Sequence, residues 1–371
     1  MREPERAIRD EIERRGPIGF DRYMEIALYG LGGFYEDPPV GTGEGAAFAT
    51  SPHVHEVFAR LLAGGLRELH EGLGRPDPFC VVEAGAGDGT LATELATWLE
   101  DLPLRYEGVE RSSGAREALS SRGIPALEEV PTFEGVLIAN ELLDNLPFRL
   151  VRRAADGDRP DEVRVTIVDD ALSVTTAPCD DTLRALVPAT PGPGEEVAVP
   201  TGAFAFVDAL AARLRRGYAV LIDYASAGSA DGAVHGYRNQ RIVEDVLADP
   251  GSTDITAGVD LDAVGRHAER TGFRVLGTPA QHAALRSLGF DTWSAEQLEH
   301  QGTLLDRREG LDAVRAWSGR SRATLLTDPA ALGRLRWLVL AIDGNDRGDD
   351  PLPEPDWLRD ANERSRAPQD G

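Results

Sequence analysis

The chain has 371 residues, 42% hydrophobic and 27% charged, which is enough to bury a sizeable core in an ordinary globular protein. Its net charge of −24, with all 39 basic residues arginine, excludes nucleic acid and an anionic membrane surface as main partners. That charge suits a salt-adapted, high-GC background better than a cationic partner, and two cysteines with seven scattered histidines give no disulfide framework and no metal-ligand spacing.

Residues 1–72 read as a helical region. Ile8 and Ile12 share one helix face, and Phe20, Met24 and Leu28 share another that Gly30 ends. Residues 41–45 (Gly-Thr-Gly-Glu-Gly) form a glycine-rich connection without the lysine of a phosphate-binding loop. Thr50-Ser51-Pro52 is a helix start with Ser51 as N-cap, and Phe58, Leu61, Leu62, Leu66 and Leu69 give the buried face that follows. The polar N-terminus shows no targeting segment, and no run approaches the ~20 apolar residues of a membrane span, so a cytoplasmic protein is expected.

Residues 79–90 (Phe-Cys-Val-Val-Glu-Ala-Gly-Ala-Gly-Asp-Gly-Thr) are the most informative stretch. A short β-branched run ends in Glu83, glycines follow at 85, 87 and 89, and Leu91, Leu95, Trp98 and Leu99 fall at helical spacing. The unit is strand, glycine turn, helix. Thr90 breaks the G-x-G-x-x-G pyrophosphate fingerprint, and an acid before the turn suits a nucleoside without phosphate at the helix N-terminus, of which S-adenosylmethionine is the common case. A second strand, 104–110, ends in Glu110 about twenty residues past the turn, where dinucleotide folds place a ribose-binding acid.

Further along, 135–139 is another buried strand, and strands alternating with helices predict a parallel doubly wound sheet. Residues 148–200 change character and read as an antiparallel β insertion. The parallel theme resumes with a helix at 204–214 and a buried strand at 217–223 ending in Asp223. Residues 225–259 read as a long loop. Helices are expected at 261–271, 295–317 and 330–340, with a strand at 273–276, and 342–371 as a frayed polar C-terminal tail. The central body is thus 73–341.

Several segments together resemble the MidA-like methyltransferases, a family that includes a mitochondrial complex I assembly factor methylating protein arginine. They are 17–29 with Gly33-Phe34-Tyr35, 49–52, 82–89, 139–147 (Ala-Asn-Glu-Leu-Leu-Asp-Asn-Leu-Pro), 221–224, 237–238 and 250–259 (Pro-Gly-Ser-Thr-Asp-Ile-Thr-Ala-Gly-Val), with an echo at 332–337. The likeness runs in order from about residue 8 to 341. It implies a Rossmann-like class I methyltransferase sheet, S-adenosylmethionine as cofactor, and a helical N-terminal region covering the site. The departures are Asn145 where the family has Ala, Ala225 where it has Gly, Ala47 before Phe48, and Gly258 in place of His. All lie on the substrate side.

On this resemblance Glu83, Gly85, Gly87, Gly89 and Glu110 bind the cofactor, and Asn140 helps hold its methionine amino group. A guanidinium acceptor must be held by carboxylates that fix its plane. Glu141 and Asp144, directly after a strand at the carboxyl edge, are the catalytic candidates. The alternative is that Asn140 caps a helix and both acids sit in its first turn. Tyr23, Tyr35, Thr50, Ser51, Asp223, Tyr237, Asp254 and Thr256 line a substrate pocket by resemblance only, and Asp223 serves equally as a strand-end cap. Three functions stay open: a methyltransferase acting on arginine of a protein, a small-molecule methyltransferase, and a non-catalytic assembly factor that binds the cofactor.

Overall fold

The computed structural model describes residues 2–36, 50–153, 159–187, 192, 194–225, 234–238, 241–344 and 350–366. The glycine-rich 41–45 segment lies outside them. Seven strands make the central sheet: β1 (Phe79–Ala84), β2 (Leu104–Val109), β3 (Ala126–Leu127), β4 (Phe133–Asn140), β5 (Leu214–Asp223), β6 (Arg274–Gly277) and β7 (Arg336–Ile342). Their spatial order is β6-β7-β5-β4-β1-β2-β3. β1 to β5 pair in parallel, and β7 enters antiparallel between β5 and β6. This is the expected Rossmann-like architecture. The strand order reverses between β1 and β4, so the carboxyl ends of those strands open the crevice where such sheets bind ligands.

Alternate residues of each strand feed two different cores, as a period of two requires. Val81, Val136, Val220 and Trp337 pack with the helices Val57–Gly72 and Thr90–Trp98 on one face. Val82, Leu137, Leu221 and Leu338 pack with Thr201–Arg213 and Leu261–Arg270 on the other.

The N-terminal region is helical but divided. Val57–Gly72 belongs to the main core, whereas Glu3–Arg15 and Phe20–Tyr29 pack on a separate antiparallel sheet. That sheet is the expected insertion, built from Arg149–Arg153, Pro160–Val168, Ala171–Pro178 and Glu196–Val199, with Ile18–Gly19 added beside Val165 and Arg164. A three-stranded sheet (Val234–Arg238, Arg241–Val243, Asp254–Ala257) replaces the long loop expected at 225–259, and its Ile255 and Ala257 join the same third core. Together these parts form a cap over the carboxyl ends of the central sheet.

Three other expectations are corrected. The helix expected at 330–340 is instead the turn Leu332–Arg334 followed by β7, because a strand buried on both faces reads as an unbroken apolar run and hides its period. The helix expected at 295–317 is two, Phe290–Asp306 and Gly310–Ala323, broken where Arg308 adopts φ +63°. The supposedly frayed tail holds the helix Asp356–Arg366, whose Trp357, Leu358 and Ala361 are buried in the main core. Trp357 meets Trp337 edge-on at 5.7 Å between centroids. Trp357→Ala is therefore expected to lower stability by about 3–5 kcal/mol in urea denaturation, a core-sized loss and not the near-zero effect of a loose tail.

Candidate functional site

A cavity of about 1150 Å³ lies between the carboxyl ends of β1, β2, β4 and β5 and the cap. At its floor Gly85, Gly87 and Gly89 take φ values of +71°, +56° and +78°, a left-handed path that side-chain-bearing residues resist. A Cβ on Gly89 would come within 2.9 Å of Leu119 and Ile124, and one on Gly85 within 3.0 Å of Leu142. Glycine is needed here for conformation and for space.

Two acids flank this turn. Glu83 is buried and accepts the Tyr106 hydroxyl at 2.6 Å; burial pushes its carboxyl up to about 8. Glu110 accepts the Gly87 N–H at 2.6 Å, and burial raises its pKa as well. Asn140 ends β4 with its Oδ1 buried, on the cavity wall and without a partner. An orphaned carbonyl oxygen there wants a donor from whatever occupies the cavity. The donor set therefore fits S-adenosylmethionine: Glu110 for ribose hydroxyls, the glycine turn for close approach, and Asn140 for an ammonium.

Beyond Asn140 the wall is acidic. Glu141 sits at φ +53°, its Oε1 accepting the Ser51 N–H at 2.9 Å and facing the Asn140 amide at 3.3 Å. Burial raises it to about 7. Asp144 stands in a single 3-10 turn, Leu143–Asn145, so no α-helix begins here and Asn140 caps none. Burial raises Asp144 to about 6, and its Oδ1 has no partner. Asp254 lies on the strand packed against this turn, raised to about 7 by burial and by Asp144; its Oδ1 accepts the Tyr35 hydroxyl at 2.8 Å and the Asn145 amide at 2.9 Å.

Of the pocket residues expected by resemblance, Tyr35, Thr50, Tyr237, Asp254 and Thr256 line the cavity. Three do not. Tyr23 is fully buried in the third core and donates its hydroxyl to Val246 O at 2.6 Å. Ser51 begins a helix and does not cap it; its hydroxyl is buried against Gln281. Asp223, also fully buried, accepts the Leu143 and Asp144 N–H groups at 2.6 and 3.3 Å and the Tyr224 N–H at 2.8 Å, so it holds the turn that carries Asp144 from behind. Residues not singled out in the sequence also line the cavity, among them Tyr29, Arg111, Tyr224 and Arg334. The Arg111 guanidinium lies 4.4 Å from the Tyr29 ring centroid and that of Arg334 lies 5.4 Å from Tyr224. Tyr29, Tyr224 and Arg334 lie within the segments 17–29, 221–224 and 332–337 that carry the resemblance, whereas Arg111 is signalled only by its adjacency to Glu110.

Carboxyls raised in the folded state favour folding while protonated. Their contribution is complete below the ordinary values near 4 and is lost as pH rises through 6–8. The ligand-free protein is expected to melt roughly 5 °C lower at pH 8 than at pH 5.5 by calorimetry, with a cationic cofactor recovering part of the loss. Equal melting at both pH values would show that these acids are better solvated than the cavity suggests.

Comparison with known proteins agrees with this geometry. Residues 61–278 match the model of a family described as S-adenosyl-L-methionine-dependent methyltransferase. The human protein named "Protein arginine methyltransferase NDUFAF7, mitochondrial" is 28% identical, covering 76% of this chain and 72% of its own length. The Drosophila melanogaster homologue of that name is 27% identical, covering 90% and 83%. A Burkholderia thailandensis protein crystallised with S-adenosyl-homocysteine, and described as a candidate methyl transferase, superposes with TM-score 0.80 at 28% identity over 94% of this chain and 93% of its own. The cytoplasmic expectation is corrected by these names, since the curated relatives are mitochondrial. Among the described residues no helix is long and apolar enough to cross a membrane. The glycine turn, the paired acids and the matched 61–278 segment together place this chain in the MidA-like family of S-adenosylmethionine-dependent methyltransferases.

Proposed function

We propose that this methyltransferase modifies arginine side chains of a protein. The observation that carries the reading is the acidic wall. Glu141, Asp144 and Asp254 converge beside the cofactor end of the cavity, and Asp144 Oδ1 is left without a partner. Buried acids without a counter-ion are costly, and a guanidinium supplies both the charge and a planar fork of donors. Arginine methylation by the relatives named NDUFAF7 supports the same acceptor.

When bound, the cofactor supplies a methyl carbon on a positive sulfur. The chain's own part is placement and exclusion of water. Glu141, fixed by the Ser51 amide, holds one edge of the acceptor; Asp144 and Asp254 hold another; Tyr29, Tyr35 and Tyr224 close the walls. Fixing two reactants in line supplies about 7–11 kcal/mol in favourable cases.

The test is to incubate the protein with labelled methyl donor and arginine-containing proteins, then search acid hydrolysates for methylarginine. Label in methylarginine supports the reading. Of the substrate-side departures, Asn145, Ala225 and Gly258 line the cavity and Ala47 lies outside the described residues, so a small-molecule acceptor is the second reading. Label confined to extracts stripped of macromolecules would favour it, and cofactor binding with no turnover on either would favour an assembly factor.

A further inference from the structure

Resting on the arginine reading, we infer that Thr50, His53 and Asp88 form a relay that takes up the proton the acceptor must lose. A guanidinium nitrogen that gains a methyl group while keeping all its hydrogens would become a dication. The acids of the wall are poor acceptors for that proton, because a carboxylate that takes it loses the charge that grips the substrate.

The relay stands on three side chains of the cavity wall. His53 Nδ1 is 2.7 Å from Thr50 Oγ1, and Nε2 is 3.3 Å from Asp88 Oδ1. Thr50 occupies the N-cap position of Ser51–Val54, yet its side chain makes no cap bond to the backbone and faces the imidazole. Asp88 is desolvated, but hydrogen bonds from His53 and Thr90 outweigh burial and hold its carboxyl down at about 2. An ionised carboxylate only accepts, so Nε2 carries the hydrogen, and in the neutral imidazole Nδ1 accepts from the Thr50 hydroxyl. This is the logic of a hydroxyl–imidazole–carboxylate triad, with the hydroxyl at the cavity. Thr50 also precedes the residue whose amide holds Glu141, so the relay opens beside the grip.

The acceptor nitrogen's pair bonds the methyl carbon, and the carbon–sulfur bond breaks with its pair kept by sulfur, which becomes neutral. The surplus N–H proton passes to Thr50 Oγ1 as the threonine's own proton passes to His53 Nδ1. The imidazolium rests against Asp88 until water removes the proton. Asp88, Glu94 and, through Asp88, Arg122 are the charged groups around the ring.

The test pairs kinetics with spectroscopy. Nitrogen NMR of the ligand-free protein should show the Nε2–H tautomer at His53, with the Nδ1 signal shifted in Thr50→Val. Thr50→Val and His53→Gln should each lower kcat about 100-fold on an arginine substrate, with KM and the Kd for S-adenosyl-homocysteine unchanged. Thr50→Ser should restore turnover to within about threefold, and the double variant should be no slower than either single one. An Nδ1–H tautomer, or His53→Gln at wild-type kcat, overturns the relay while leaving the arginine reading intact. Wild-type protein that transfers nothing to arginine overturns both.

Discussion

Glu141→Gln should reduce methyl transfer on the order of 10²- to 10³-fold while S-adenosyl-homocysteine binds within about threefold of wild type. The size follows from removing one partner of a buried, hydrogen-bonded charge pair, which costs about 2–5 kcal/mol. Glutamine keeps an Oε1 to accept the Ser51 N–H, so the local geometry at 2.9 Å survives and only the charge is lost. The same logic sets the pH dependence. With Glu141 raised to about 7 by burial, wild-type turnover should climb as pH rises toward neutrality, and the variant should climb less, keeping only the part that Asp144 and Asp254 contribute. A bound guanidinium draws the apparent midpoint lower than in the free protein. Transfer by Glu141→Gln at more than a third of the wild-type rate would remove Glu141 from the grip.

Glu110→Ala should weaken cofactor binding by roughly 100-fold in calorimetric titration, the loss of hydrogen bonds to a charged acceptor worth about 1.5–3 kcal/mol each. Turnover at saturating cofactor should change far less, because the role we propose for Glu110 is to bind the cofactor and for Glu141 to hold the acceptor, both from the wall of one cavity. Burial raises the Glu110 carboxyl, so wild-type affinity should also fall toward acid pH, a trend absent in the variant. Unchanged affinity in Glu110→Ala would mean that the acid serves only to hold the Gly87 amide at 2.6 Å.

Those two predictions use residues that were legible in the sequence, and the reason is locality. The turn at 85–89 and the acid at 110 belong to one strand–helix–strand unit, in which glycine spacing and hydrophobic period act over short distances. The acids at 141 and 144 follow a strand end for the same reason. What failed was long-range. Tyr23 looks like a pocket residue until the backbone of Val246, far along the chain, takes its hydroxyl. Ser51 looks like a cap until Gln281 folds over it. Asp223 reads equally as a pocket residue or a strand-end cap until the turn at 143–145 closes on it. Each is a buried polar group satisfied by a distant partner, and nothing local marks such pairings. The resemblance implied a covering N-terminal region and the sequence an antiparallel insertion, but nothing local marked how they join: Ile18–Gly19 pairs with Val165 and Arg164.

The place of β7 in the sheet has a consequence for the growing chain. Residues 336–342 complete the bonding of β5 on one side and of β6 on the other, so the sheet cannot close until residue 342 has left the ribosome. At synthesis rates of about 5–20 residues per second, β5 waits on the order of ten seconds with a row of bare N–H and C=O groups along a highly apolar edge. During that interval the nascent protein offers other chains a docking strand that the finished molecule never shows, and protection by a chaperone would matter most between the emergence of residue 223 and that of residue 342.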